Sequence, residues 1–217
     1  MNERSRVTEQ DYANLGEIFS TQIYKSMTDS AVDTVHQNIH QRQSIGHLVE
    51  PAPNAEQLEK AFQAALTAPD HHRLKPTRFV VISNDQREAF GELLSRALAD
   101  LGETDPVQLD RVKNHPFRAP LLVLALTQFQ PHPKVPDFEQ TLSSGAAIEN
   151  FLLSLQAQGF STMWRSGAVV ESPLFKRILG LSEDDLISGI IYIGTAAKAI
   201  PARTAVDTQN YVSYWNK

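Results

Sequence analysis

The chain has 217 residues, a formal net charge of -5, 41% hydrophobic residues and no cysteine. That length suits one domain with enough interior to fold without staples. Without cysteine, disulfides, Cys-ligated zinc, iron–sulfur clusters and thiol nucleophiles are excluded, and the acidic balance argues against a phosphate-backbone binder.

No run of 18 apolar residues predicts a transmembrane helix. Residues 1–11 are polar and charged, without the apolar stretch of a secretory signal. A cytoplasmic chain with neither nucleic-acid nor membrane partners is expected.

Residues 1–30 read as an extension in which Tyr12, Leu15, Phe19 and Ile23 recur at roughly helical spacing. The compact domain is expected over residues 31–217. Val32, Val35 and Ile39 give one face of a helix running up to Arg42. Asn54 and Gln57 form a capping box, and Leu58, Ala61, Phe62 and Ala65 carry the stripe toward Pro69, which ends it. Residues 78–83 are rich in β-branched side chains and predict a strand. Asp85 with Glu88 predicts a second capping box. It precedes the helical face Phe90, Leu93, Leu94, Ala97, Leu98 and Leu101, and Gly102 is the stop.

Asp105-Pro106 opens a short helix. Residues 119–127 contain a buried strand, and residues 128–136 form a Pro-rich loop. A long helix is predicted over residues 138–158, with Leu142, Ile148, Leu152 and Leu155 near its apolar face and Gly159 as its stop. A short strand follows at 160–164. Ser172-Pro173 starts another helix that ends at Gly180, and residues 186–194 are the last strand. Strands separated by helices imply an α+β or α/β chain with a mixed sheet covered by helices. Periodicity alone selects no topology.

Several chemistries find no support. There is no G-x-G-x-x-G, no Walker A loop and no G-x-S-x-G elbow. His36 and His40 are four apart, but without H-E-x-x-H they read as solvated helix histidines. Glu139 and Glu149 read as the polar face of the long helix.

Arg42-Gln43-Ser44 offers a guanidinium, an amide and a hydroxyl together, a set suited to an anionic or heteroaromatic ligand. Plainer roles stand beside this one. Arg42 can favour a helix C-terminus, and Ser44 can hold a turn. Trp164 can serve packing alone, and Ala68-Pro69 can be a helix stop.

The segment Arg42-Gln43-Ser44 has companions: Glu50-Pro51-Ala52-Pro53, Ala68-Pro69-Asp70-His71, Asn114-His115-Pro116-Phe117-Arg118-Ala119-Pro120, Lys134-Val135-Pro136, Gln158-Gly159-Phe160, Trp164-Arg165-Ser166-Gly167 and Tyr192-Ile193-Gly194-Thr195. In this order and spacing the chain resembles the nitroreductase superfamily of FMN-dependent oxidoreductases, and within it the small YdjA-like bacterial branch. The resemblance covers residues 31–195.

It implies an α+β fold, a mixed β-sheet flanked by helices, built as an intertwined homodimer with FMN at the subunit interface. It implies flavin contacts from Arg42, Gln43 and Ser44, from Trp164, Arg165 and Ser166, and, across the interface, from Thr67 and His71. Gln43 stands where Arg or His is common in the family, and Thr67 where Arg is common, so partial flavin occupancy after purification is expected. Gln158 and Gly159 fall in the stretch credited with pyridine-nucleotide contacts. Lys198 and Arg203 lie where relatives often place a phosphate partner.

The implied reaction is ping-pong. A hydride passes from NADH or NADPH through FMN to a small electron-poor acceptor such as a nitroaromatic or a quinone, with Arg42 near the N1–C2=O edge of the flavin. Neither a catalytic acid or base nor a metal is implied. Two other outcomes stay open: a flavin-binding carrier or sensor with little turnover, and a dehalogenase-type or flavin-fragmenting member of the same fold.

Overall fold

The computed structural model describes residues 29–83 and 85–215; Tyr12, Leu15, Phe19 and Ile23 lie outside them. The chain divides into two units, residues 1–40 and 41–217. In the first, helix α1 (Asp29–Gln41) is marked by Thr34 Oγ1 donating to the Ser30 carbonyl at 2.7 Å and by the edge-on rings of His36 and His40.

The second unit is built on one sheet. Its strands are β1 (Leu48–Val49), β2 (Thr77–Ser83), β3 (Leu121–Thr127), β4 (Ser161–Arg165) and β5 (Leu186–Ala196). The order is β1-β5-β3-β2, and β4 also pairs with β5. All of these strand pairs are antiparallel. The parallel component of this mixed sheet is the bridge between Ser44 and Thr162, beside which the Ile45 amide donates to the Thr162 carbonyl at 2.9 Å.

Strand alternation splits the core into two layers. Leu121, Val123 and Ala125 of β3, with Ile191 and Ile193 of β5, face helices α2 (Ala55–Ala65) and α5 (Asp137–Ala157). Leu122, Leu124 and Leu126, with Ile190 and Tyr192, face helix α3 (Gln86–Asp100) and Phe175 of α6 (Pro173–Ile178). Every residue of β3 is buried, which explains its unbroken apolar run. On the α2/α5 side Phe62, Phe79 and Phe151 pack with ring centroids 5.1 to 5.4 Å apart. Each such pair adds about 0.5–1.5 kcal/mol beyond its burial.

Local chemistry sets the helix ends. Asn54 accepts from the Gln57 amide while the Gln57 side chain accepts from Asn54, so both halves of the capping box are present. Asp105 caps α4 (Pro106–Lys113) through the Val107 amide, and Ser172 caps α6 through the Phe175 amide.

Two expectations need correction. Asp85 makes no side-chain cap bond, because its backbone is already helical (φ -64°, ψ -20°), whereas a capping residue needs an extended conformation. Instead the Gln86 side chain accepts from the Ser83 amide at 3.2 Å. Leu142 is 67% exposed rather than part of the apolar face of α5. At 3.6 residues per turn it lies about 120° around the helix from Ile148; the buried face is Ser144, Ala147, Ile148, Phe151, Leu152 and Leu155.

Candidate functional site

The position of Trp164 is set by a flaw in the sheet. Between β3 and β5 the register jumps, with Ala125 opposite Gly189 and Leu126 opposite Ile187. Ser188 is the extra residue, a β-bulge whose backbone leaves the ladder. Its carbonyl accepts from Trp164 Nε1 at 2.9 Å, and its hydroxyl meets Thr127 Oγ1 at 2.7 Å. The indole then lies directly on Gly189, where an added Cβ would sit 2.1 Å from Trp164 Nε1. Trp164 is left 39% exposed, its ring held at a fixed angle above α5. It opens on a cleft of about 430 Å³ with Thr141, Gly145, Ser166 and Gly167.

After β4 the chain turns at Gly167, whose φ is 77°, with no atom within 4 Å of the space a Cβ would fill. A glycine there lets a flat ligand approach the backbone closely.

The Ser44–Thr162 bridge lays the Arg42-Gln43-Ser44 segment along β4, so this segment and Trp164-Arg165-Ser166 share one edge. Arg42 Nε is 3.2 Å from Glu149 Oε1. The Gln43 amide donates to the Pro201 carbonyl at 2.8 Å, and Arg203 donates to the Arg42 carbonyl at 3.0 Å. The tail is thus tied to this segment at two points, and Arg203 is brought beside it. Lys198 is exposed.

Thr67 and His71 stand at different levels of α5, Thr67 on the Ala64 carbonyl that Asn150 Nδ2 also reaches and His71 on Glu139. Thr67 Oγ1 donates to the Ala64 carbonyl at 2.7 Å, and His71 Nδ1 lies 2.7 Å from Glu139 Oε2. Glu139 and Glu149 are ten residues apart on α5, about 15 Å along its axis. Within one chain, then, His71 does not reach Arg42. Gln158 and Gly159 stand apart too, before the start of β4. Gln158 Nε2 donates to the Gln57 carbonyl at 3.1 Å, pinning α5 to α2, and Gly159 takes φ 88° to turn the chain into β4.

Period-2 alternation also separates Trp164 from Arg165. Trp164 faces the α5 side. Arg165 faces the α3 side, where its guanidinium carbon is 5.9 Å from the Tyr192 ring centroid. There it shares a pocket with His115. Burial and then the charges of Arg118, Arg165 and Arg111 push His115 down to about 4, so its ring is neutral. Burial pushes the Tyr192 phenol up, so it stays protonated near neutral pH.

Sequence reasoning missed the Ser188–Gly189 bulge, Glu149 as the partner of Arg42, and His115. A glycine inside an apolar strand was the available signal for the first.

A flavin mononucleotide fits this set of residues. The half-exposed indole and the open Gly167 backbone suit a flat ring, and Arg42, Ser44 and the tethered Arg203 suit a phosphate.

Comparison with known proteins gives the family. The model of the nitroreductase family matches residues 39–195. The chain belongs to the nitroreductase family. It is 38% identical over 175 residues to the Escherichia coli K12 protein named "Putative NAD(P)H nitroreductase YdjA", covering 80% of this chain and 95% of that one. A Haemophilus influenzae relative with an NAD(P)H nitroreductase name is also 38% identical, over 177 residues, with the same coverages of 80% and 95%. Among solved nitroreductases, a nitroreductase-like family protein from Bacillus cereus superposes with a TM-score of 0.72 at 21% identity, over 84% of this chain and 96% of that one. A nitroreductase with bound FMN from Bacteroides fragilis superposes with a TM-score of 0.62 at 18% identity, over 83% and 98%. Among the described residues no helix is long and apolar enough to cross a membrane, and no group of three His, Asp or Glu is placed to hold a metal ion.

Proposed function

We propose that this chain is a cytoplasmic FMN-dependent oxidoreductase, taking reducing equivalents from NADH or NADPH and passing them to a small electron-poor acceptor such as a nitroaromatic or a quinone. The observation that carries the reading is the convergence of Arg42-Gln43-Ser44 and Trp164–Gly167 on one edge of the sheet, through the Ser44–Thr162 bridge. Family membership supports it, as do the NAD(P)H named for the relatives and the FMN named for solved neighbours.

The flavin, when bound, supplies hydride acceptance and hydride donation; the chain's own side chains supply position and charge. Arg42 and Arg203 bind the anionic end, and Ser44 orients it by a directional hydrogen bond. Trp164, fixed by the Ser188 carbonyl, offers the apolar surface for the ring and narrows the space in which nicotinamide and acceptor take turns. Gln158 and Gly159 hold the turn into β4, and so the register of Trp164. No side chain of the cleft is assigned as general acid or base.

The protein works as a homodimer in this reading. His71 pairs with Glu139, about 15 Å along α5 from Glu149, the partner of Arg42, and with Thr67 it serves a flavin bound mainly by the other protomer. Arg42 is compensated by Glu149, and Gln43 is engaged by Pro201. Both weaken the hold on phosphate, so partial flavin occupancy after purification is expected.

The test is an absorption spectrum before and after FMN, followed by NADH or NADPH without oxygen. Bound flavin that bleaches with pyridine nucleotide is expected. Bound flavin that never bleaches would favour a carrier or sensor, and no flavin binding would overturn the proposal.

A further inference from the structure

An open pocket of about 620 Å³ lies around α6 and takes no part in the site proposed above. Glu171 enters it from the turn before the helix, Lys176 and Arg177 from the helix's last turn, and Ser182 and Glu183 from the loop that follows. Glu171 also lines the Trp164 cleft, so the two cavities open side by side. The loop is held by the buried Asp185, whose carboxylate accepts from the Ser182 and Phe129 amides, each at 2.8 Å. Ser182 Oγ accepts from the Asp185 amide at 3.2 Å, which leaves its own hydrogen to donate. Lys176 Nζ donates to the Glu183 carbonyl at 2.8 Å. That bond ties helix to loop and uses one of the three ammonium hydrogens.

Four charged side chains line this pocket without neutralising one another. Among the described residues, neither Lys176 nor Arg177 has a carboxylate within ion-pair distance, although Glu171 and Glu183 share the pocket with them. A cation in the last turn of a helix is favoured by its dipole, but Lys176, tied to the loop, already meets that need. Two adjacent cations and a hydroxyl suit paired phosphate groups. A carboxylate without a cation suits sugar hydroxyls, the role acidic residues take toward ribose in dinucleotide sites. Leu181 and Pro173 add apolar surface for a base. Inorganic phosphate would leave the carboxylates unused, and a neutral sugar would leave the cations unused. A nucleoside diphosphate engages both, and the volume lies in the range of small-ligand sites.

We propose that this pocket takes the adenosine diphosphate half of the pyridine nucleotide. Arg177, Lys176 and Ser182 hold the diphosphate, Glu171 accepts from the ribose, and the nicotinamide passes beyond Glu171 into the Trp164 cleft. That the nucleotide is NADH or NADPH rests on the function proposed above; the match of the pocket to a nucleoside diphosphate does not. Arg177 and Lys176 are binding residues remote from the hydride. Their contribution is the same before and during transfer, so it acts on half-saturation and not on the limiting rate.

ADP is the probe for the pocket and NADH for the reaction. Calorimetric titration of ADP into the full chain is expected to show binding that falls at least fivefold in Arg177→Met and recovers in part in Arg177→Lys. Arg177 is exposed, so the variants are expected to fold as the wild type does. In FMN-loaded protein without oxygen, the NADH concentration that half-saturates flavin bleaching is expected to rise at least fivefold in Arg177→Met. The limiting rate and the FMN affinity are expected to stay within twofold. 1-Benzyl-1,4-dihydronicotinamide, a hydride donor without phosphates, is expected to bleach the flavin of both proteins equally fast. Absence of ADP binding by the wild type, or a fall of less than twofold in Arg177→Met, would overturn the proposal. So would an equal loss with the phosphate-free donor, which would place the effect in the cleft. Weakened ADP binding with an unchanged NADH response would overturn the assignment to the pyridine nucleotide. A wild-type protein that takes no FMN would sink the oxidoreductase reading instead, and the ADP titration would still decide the pocket.

Discussion

Gly189→Ala is the sharpest perturbation of the Trp164 edge. The new Cβ would stand 2.1 Å from Trp164 Nε1, 2.5 Å from its Cδ1 and 2.9 Å from the Arg165 carbonyl, against an ordinary contact of 3.4–4 Å. The indole has to swing away, which breaks its 2.9 Å bond to the Ser188 carbonyl. Loss of that bond costs about 1 kcal/mol. Forcing an extra methyl into a packed strand costs about 1–3 kcal/mol. The sum is about 2–4 kcal/mol of stability, read as a lower urea midpoint at unchanged slope. The chain has two tryptophans, and Trp215 is 81% exposed. A change in native-state emission therefore reports on Trp164, and FMN affinity is expected to fall with it. A loss below about 0.5 kcal/mol with unchanged emission would show that the bulge does not hold the indole.

Gly91→Ala serves as a remote comparison. Its Cβ would meet the Lys113 carbonyl at 2.2 Å, where α3 and α4 cross, so about 2–3 kcal/mol of stability is lost while FMN affinity of the folded protein is unchanged. Glu149→Gln frees the Arg42 guanidinium from its 3.2 Å partner and is expected to tighten FMN binding several-fold. Arg42→Met is expected to weaken it by about tenfold, or ~1.4 kcal/mol. Fluorescence quenching reads both, and equal affinities would remove Arg42 from the site. Neutral His115 gives a pH signature. Its folded value of about 4 lies below the ordinary 6.5, so the unfolded chain binds more protons between the two. Its contribution is complete above about 6.5, declines as pH falls through that window and is exhausted near 4. The full linkage of about 3 kcal/mol is screened to ~1–2 kcal/mol because the ring is half exposed. His115→Gln should flatten the dependence of the urea midpoint over that range, and an unchanged slope would contradict the assignment.

Much of the fold was legible because its signals are local. The Asn54 box, the Asp105-Pro106 start and the buried run of β3 each depend on a few neighbouring residues. Asp85 misled because the same residue types fit a cap only if the backbone enters extended, and here it does not. Leu142 misled because an apolar residue near a stripe is not on it when it lies about 120° away. Of the site, the segments were legible but their side-chain directions were not. Trp164 and Arg165 are neighbours in sequence and part to opposite faces of the sheet, a separation that depends on the register of β4 against β5. The Arg42–Glu149 pair and the Gln43–Pro201 bond join residues more than a hundred positions apart, and no periodicity records them.

Strand β5 has a consequence for how the protein loses its ligand. It pairs with β1, β3 and β4 at once, its bulge orients Trp164, and its Tyr192 floors the His115 pocket. Trp164 and Arg165 ride on β4, which is held to the sheet through β5, so both surfaces depend on the central ladder. Local and global unfolding should therefore coincide for the slowest-exchanging amides of residues 187–194. Whatever occupies either surface then raises the melting temperature of the whole second unit by mass action, in proportion to the logarithm of its concentration over its dissociation constant. A thermal-shift titration with flavins thus becomes a direct readout of occupancy, with no turnover required.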